Sequence, residues 1–354
     1  MRRRFAIGLL LALALVAAWG LAPWVEAAVV LADLAGHRLR GENVIPQSVA
    51  YQRDGRSHGG DLYGASGGAG LVVVPGAAEL GKDDPRLIGF AQALARAGFT
   101  VLVPEIASQK ALQVGPENVH DVADAIDWLA SRQPRVGVAA ISYAVGPAVL
   151  AGLEEGDKLR FLVGVGGYYD LNAVIGFFTT GRYWEDGAWQ ERRPNAYGKW
   201  VFVRSNAARL WDSGDKTLLE IIAQRRMADP QAPINDLTAK LTPTARPITD
   251  LLAKGDPERV PGLVAALPAE MADDIRALDL KGRDLSGLKA ELLLIHGRDD
   301  SIVPAGESRK LAAAVPSAQL FIVDDLAHAD WTPHRLSGMF GLLRAMHALL
   351  AERD

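Results

Sequence analysis

Short, predominantly apolar runs recur along the chain at Gly70–Val74, Phe99–Val103, Arg135–Ile141, Phe161–Gly166, Glu291–Ile295 and Gln319–Val323. Each is too short for a buried helix and lacks the alternation of a half-exposed strand. Each therefore predicts a strand covered on both faces. Helical patterns separate them. One runs from Asp84 through Phe90 to Ala97 and stops at Gly98, and another opens at Pro116 with Val119, Val122, Ala123, Ile126 and Leu129 on one face. Further helices are expected over Pro147–Leu153, Gly306–Ala314 and Pro333–Leu350. Strands alternating with helices in this way predict βαβ units and a mostly parallel central sheet with helices on both faces. Before them, Gln47–Tyr51 and Gly60–Tyr63, separated by Arg53-Asp54-Gly55-Arg56, predict two strands joined by a turn.

The rhythm breaks between about Tyr168 and Leu288, where no comparable strand run is found. An aromatic-rich segment (Phe177, Phe178, Tyr183, Trp184, Trp189, Tyr197, Trp200) precedes helical patterns at Thr217–Ala228, Asn235–Lys254 and Val260–Leu278. Prolines from Pro230 to Pro268 keep these helices short. A long helical insertion in a parallel-sheet chain is most simply a cap over the sheet's carboxyl edge. The aromatic cluster serves either as the core of that cap or as the wall of an acyl- or aryl-binding pocket. The expected organisation is an N-terminal segment and linker over 1–42, a first core part over 43–167, a helical cap over 168–288 and a second core part over 289–354.

Composition narrows the function. The net charge of −4 over 354 residues, with no basic stripe beyond the first residues, argues against nucleic acid as a partner. The absence of cysteine excludes a disulfide framework, thiolate catalysis and a Cys-based zinc site. No histidine–carboxylate pattern has metal-ligand spacing, so neither metal nor cofactor is expected. At the N-terminus, Arg2-Arg3-Arg4 precedes an uncharged run from Phe5 to Val25. A membrane-spanning helix needs roughly 20 such residues, and the arginines would hold the N-terminus in the cytoplasm. The expectation is a membrane anchor with the catalytic part outside the cytoplasm, periplasmic or extracellular. The alternative is a signal peptide cleaved near Val25-Glu26-Ala27, releasing a secreted protein.

The chemistry centres on Ser142. The strand over Arg135–Ile141 runs straight into a small-residue helix, and Ser142 sits between them with Ala140 and Ala144 two residues away on either side. A serine on so sharp a turn needs small neighbours, and the turn exposes its Oγ at the top of a sheet beside the positive end of a helix. The usual pattern is G-x-S-x-G; here both glycines are alanine. Downstream, the strand Glu291–Ile295 is followed by His296-Gly297-Arg298-Asp299-Asp300-Ser301-Ile302-Val303-Pro304, and the last strand by Leu326-Ala327-His328.

With these segments the chain resembles an α/β-hydrolase, near the dienelactone-hydrolase-like and acyl-esterase branches. The resemblance covers Leu71–Gly166 and Leu292 to the C-terminus. It implies a triad in the order Ser, Asp, His: Ser142 on the elbow, Asp300 in the His-Gly-x-x-Asp-x-x-Val-Pro acid loop, and His328 in the histidine loop. It implies an oxyanion hole of backbone N–H groups at Tyr143 and Ala77, although no His-Gly-Gly-Gly run supports the second. Asp299 and Asp170 are alternative acids. His296 reads as a structural hydrogen-bonder, and His120, His334 and His347 receive no role. The function implied is a serine hydrolase, most simply a carboxylic-ester hydrolase acting through an acyl-enzyme on a small-molecule ester or acyl substrate. A serine peptidase on the same fold is one alternative, although no anchor for a peptide terminus is identifiable. A non-catalytic, membrane-tethered binding protein of this fold is the other, favoured by Ala140 and Ala144.

Overall fold

The sheet predicted by the apolar runs forms the centre of the structure, a computed structural model that describes residues 20–37, 39–64, 68–253, 255–324, 326–328 and 336–353. A first helix, α1, spans residues 20–34. Strands β1 (Gln47–Arg53) and β2 (Arg56–Tyr63) form a hairpin. Its turn is tighter than the expected four residues, because Asp54 and Gly55 both take positive φ (50° and 79°). That two-residue geometry matches strand twist and lets pairing continue to Arg53↔Arg56. Next come β3 (Gly70–Val74), α2 (Pro85–Arg96), β4 (Thr100–Pro104), the single turn α3 (Ala107–Lys110), α4 (Glu117–Ala130), β5 (Val136–Ile141), α5 (Val145–Glu155) and β6 (Phe161–Val165). Asp84 caps α2 by accepting from Arg86 N, and Pro85 fills its first position.

The strand order is β1-β2-β4-β3-β5-β6-β9-β10, where β9 is Glu291–Gly297 and β10 Ala318–Val323. From β4 to β10 every pairing is parallel; β1 and β2 run antiparallel at the edge. Alternate residues divide between two cores. Val72, Val138, Ala140, Leu162 and Leu294 face α4, α5 and the insertion. Leu71, Val73, Phe161, Val163 and Ile295 face α1, α2 and the final helix α14 (Leu336–Ala351). The backbone of β5 tolerates the second core only through Gly137, where a Cβ would lie 2.1 Å from the Phe161 ring.

Between β6 and β9 the chain forms α6 (Leu171–Thr180), a hairpin β7 (Arg182–Glu185) and β8 (Ala188–Glu191), then α7 (Ala196–Ala207), α8 (Ser213–Ala228), α9 (Asn235–Thr238), α10 (Arg246–Ala253), α11 (Val260–Ala265) and α12 (Ala269–Leu278). The hairpin forms where no apolar run comparable to the core strands occurs. Its signal was Asp186-Gly187, again with both φ positive (51° and 79°), between Trp184 and Trp189, whose rings meet edge to face at 5.5 Å. The single pattern over Asn235–Lys254 divides into α9 and α10 around Pro243, where Thr242 donates from its backbone and hydroxyl to the buried Asp215 carboxylate. Pro268 likewise separates α11 from α12. The last core helix, α13, covers Gly306–Ala314.

The spanning helix expected over Phe5–Val25 finds no support among the described residues, in which no helix is long and apolar enough to cross a membrane. Residues 5–19 lie outside the described residues, as do Asp325 and His334. The end of that run belongs to α1, which is docked on the core. Ala27 and Val30 are fully buried, Trp24 stacks on His347 at 4.1 Å, and Asp33 bonds Arg96 at 2.7 Å. Glu26 of α1 accepts from both Arg40 and Arg353.

Candidate active site

Ser142 is the first residue after β5 and has φ +59°. A non-glycine residue in the left-handed region is uncommon, and the strain persists only where the surroundings fix it. Here Ala140 and Ala144 are fully buried on either side, and α5 starts three residues on. The loop after β3 passes so close that a Cβ on Gly76 would lie 3.2 Å from Ser142 Cβ and 3.1 Å from Ile141 O. Gly76 therefore keeps the β3 loop against the turn.

Asp300 lies beyond β9 and is fully buried. Its Oδ1 accepts from the backbone of Ile302 (2.7 Å) and Val303 (3.0 Å), which explains why the aspartate precedes Val303 by three residues. Its Oδ2 lies 2.6 Å from His328 Nδ1. Burial alone would raise this carboxyl, but hydrogen bonds from His296 and His328 outweigh it and hold Asp300 well below the usual carboxylate range. Asp300 is an ionised acceptor whose Oδ2 orients the His328 ring through Nδ1.

The remaining candidates are placed as follows. Asp299 is largely exposed and faces Arg192 at 3.3 Å. Asp170 caps α6 through Ala173 N and pairs with Lys281 at 2.7 Å. His296 is fully buried, with Nδ1 2.7 Å from Ser308 Oγ and Nε2 2.9 Å from Val303 O. Since a carbonyl only accepts, Nε2 carries the proton and Nδ1 accepts from the Ser308 hydroxyl. His296 Nε2 also stands 3.4 Å from Asp300 Oδ2, so it braces the acid loop from beneath.

Glycines far apart in the chain bring these loops together. At Gly297 a Cβ would lie 1.9 Å from Leu326 O, so the His-Gly step lets the histidine loop cross the acid loop in contact. At Gly166, φ +62°, a Cβ would lie 3.1 Å from His328 Nδ1 and 3.4 Å from Asp300 Oδ2. Because β6 lies between β5 and β9, with Ile141 opposite Val165 and Val165 opposite Ile295, Gly166 places the Asp300–His328 pair at the same carboxyl edge as Ser142.

Ser142 opens onto a cavity of about 160 Å³ roofed by the insertion. Ala77, Tyr143, Tyr168 and Ile302 contribute from the core, and Ile175, Phe178, Phe202 and Ile275 from the insertion. Polar groups gather near Arg209, which pairs with Asp274. Tyr197 of α7 donates to Ala77 O at 2.7 Å, and Tyr168 to Leu278 O at 3.0 Å. The Tyr143 hydroxyl lies 3.0 Å from Gly115 O, its pKa raised well above the ordinary value by burial. Arg192, beyond β8, donates to Asp300 O at 3.0 Å and so ties the insertion to the acid loop. Nothing in the sequence marked it. Among the described residues no group of three or more His, Asp or Glu side chains is placed to hold a metal ion.

Comparison with known proteins fits this architecture. No family model matches the chain. The 2-hydroxymuconate semialdehyde hydrolase of Pseudomonas putida is 33% identical over 90 residues, which covers 25% of this chain and 31% of that protein. The match thus spans about a third of that relative's length. A Legionella pneumophila protein described as a candidate hydrolase superposes with a TM-score of 0.55 at 13% identity, covering 92% of this chain and 94% of that one. Dienelactone hydrolase of Anabaena variabilis gives a TM-score of 0.44 at 16% identity, covering 88% and 97%. The chain has the α/β-hydrolase fold: a mostly parallel eight-stranded sheet flanked by helices, with a helical insertion between β6 and β9.

Proposed function

We propose that the protein is a serine hydrolase that cleaves carboxylic esters through an acyl-enzyme. The observation that carries this reading is the 2.6 Å contact between Asp300 Oδ2 and His328 Nδ1 at the sheet edge where Ser142 is held at positive φ. In the proposed reaction His328 Nε2 accepts the Ser142 proton as Oγ attacks the ester carbonyl, and Asp300 stabilises the imidazolium that forms. The backbone N–H groups of Tyr143 and Ala77 receive the developing oxyanion. His328 then gives its proton to the departing alcohol, and a water activated by the same imidazole releases the acid. The apolar lining of the cavity by Ile175, Phe178 and Ile275 favours an aliphatic or aromatic acyl group over a charged one.

The test is turnover of a p-nitrophenyl ester series by the full chain beside Ser142→Ala and His328→Ala. Loss of about 10³-fold or more in kcat/KM in both variants is expected, with folding retained. Equal turnover in parent and variants contradicts the assignment, and no turnover by a folded parent leaves the binding-protein reading.

We propose further that the N-terminal segment tethers the protein to a membrane with the globular part outside the cytoplasm, on the strength of Arg2-Arg3-Arg4 and the uncharged run that begins at Phe5. Cleavage near Val25-Glu26-Ala27 would divide α1 and take away Glu26, the acceptor for Arg40 and Arg353. Retention of the native N-terminus in the membrane fraction is expected.

A further inference from the structure

The insertion contains a second cavity, about 900 Å³ in volume, and Phe178 lines both it and the cavity of Ser142. The size suits a small organic ligand. Its charge is one-sided. Arg193, Lys199, Arg226 and Arg246 line it, against Asp250 as the lining carboxylate. Among the described residues, these cations form no salt bridge. Arg246 Nε donates to Leu241 O at 3.2 Å and Arg226 Nη1 to Pro230 O, so both are positioned by neutral carbonyls rather than by counter-charges.

Two buried donors behind this wall are left without an acceptor. Trp200 is 5% exposed, and its indole N–H has no partner; Arg226 Nε–H also has none. They are neighbours, since the Arg226 guanidinium lies 5.8 Å from the Trp200 ring centre. Buried polar groups are otherwise paired in native structures, and two unpaired donors behind the cavity wall add to its positive field, which an anion in the cavity offsets. The Lys199 ammonium stands beside them, its pKa lowered by burial and then by the Arg226 charge. Phe178 and Leu252 add an apolar stretch to the wall. A bare inorganic anion would leave that stretch unused, whereas an acid with a hydrocarbon body matches both the charge and the apolar stretch.

We propose that this cavity binds an organic carboxylate, its oxygens accepting from the Lys199 ammonium and the Arg226 guanidinium while its apolar body lies against Phe178 and Leu252. The site is separate from Ser142 and does not depend on the hydrolase reading. The test is calorimetric titration of the full chain carrying Ser142→Ala with octanoate, octanamide and inorganic phosphate. Saturable octanoate binding is expected, at least tenfold tighter than octanamide or phosphate. Lys199→Met and Arg226→Gln each weaken it about tenfold, and Asp250→Asn, at an exposed position, tightens it severalfold. The last variant keeps the test decisive should either of the first two fail to fold. Absence of saturable octanoate binding, octanamide binding as tightly, or an affinity unmoved by Asp250→Asn overturns the proposal. Octanoate held in the cavity of Ser142 instead gives that last result.

Discussion

At the scale of the residue, Asp300 shows how neighbours decide what a carboxylate does. Two aspartates stand side by side, yet Asp299 points to water and Arg192, while Asp300 is buried beneath His328 and accepts two backbone N–H groups. Its native pKa lies below the unfolded value because hydrogen bonding outweighs burial. The resulting stabilisation is complete above about pH 4, where the unfolded carboxyl is also ionised, and drains away as pH falls towards the native value. Asp300→Asn is expected to lower kcat about 10⁴-fold at neutral pH by freeing the imidazole to take the wrong tautomer. Urea unfolding at stepped pH should show the parent's stability advantage over Asp300→Asn largest near neutrality and narrowing below about pH 4. An advantage that grows in acid contradicts the assignment of an ionised Asp300. The sequence shows residue types and their order for such a site. The close approaches at Gly76, Gly166 and Gly297, and the reach of Arg192 to Asp300 O, depend on loops far apart in the chain, and no local pattern records them.

At the scale of the element, the β5–α5 turn accommodates alanines where glycines are usual, because space is made elsewhere. Ala140 pairs with Gly164 of β6, where a Cβ would lie 2.9 Å from Leu294 Cδ2 and 3.1 Å from Val145 Cγ1. Gly167 likewise leaves room for Val145, and Gly146 for the Tyr168 hydroxyl. The crowding of a strand-to-helix turn is thus relieved on the neighbouring strand and within α5. Ala140→Gly and Ala144→Gly should each lower stability by about 1 kcal/mol in denaturant unfolding, through lost packing and added backbone freedom, with no gain in turnover. A rise in kcat on restoring the glycines would mean that the alanines impair the turn. The core strands were legible in the sequence because burial on both faces demands continuous apolar runs. The β7–β8 hairpin was not, since its strands of four residues are largely exposed and carry no apolar run; only Asp186-Gly187 marks it.

At the scale of the whole molecule, α1 is part of the core rather than a linker to it. It covers the face formed by α2 and α14 with Ala27 and Val30, and closes that edge with the Glu26–Arg353 and Asp33–Arg96 pairs. Hydropathy alone merged its first turn with the uncharged run before it, because an apolar face buried on a protein and one buried in lipid look alike over a few residues. Deleting residues 1–42 is expected to lower the melting temperature by about 3–5 °C, from roughly 2–3 kcal/mol of lost burial. An unchanged melting temperature would show that α1 adds nothing to the fold. The central claim is that this scaffold activates Ser142. Incubating the full chain with a fluorophosphonate and mapping the adduct by peptide mass spectrometry tests it most directly. The account predicts one labelled site, Ser142, with labelling lost in both Ser142→Ala and His328→Ala. A folded parent that stays unlabelled, or labelling that persists in Ser142→Ala, contradicts it.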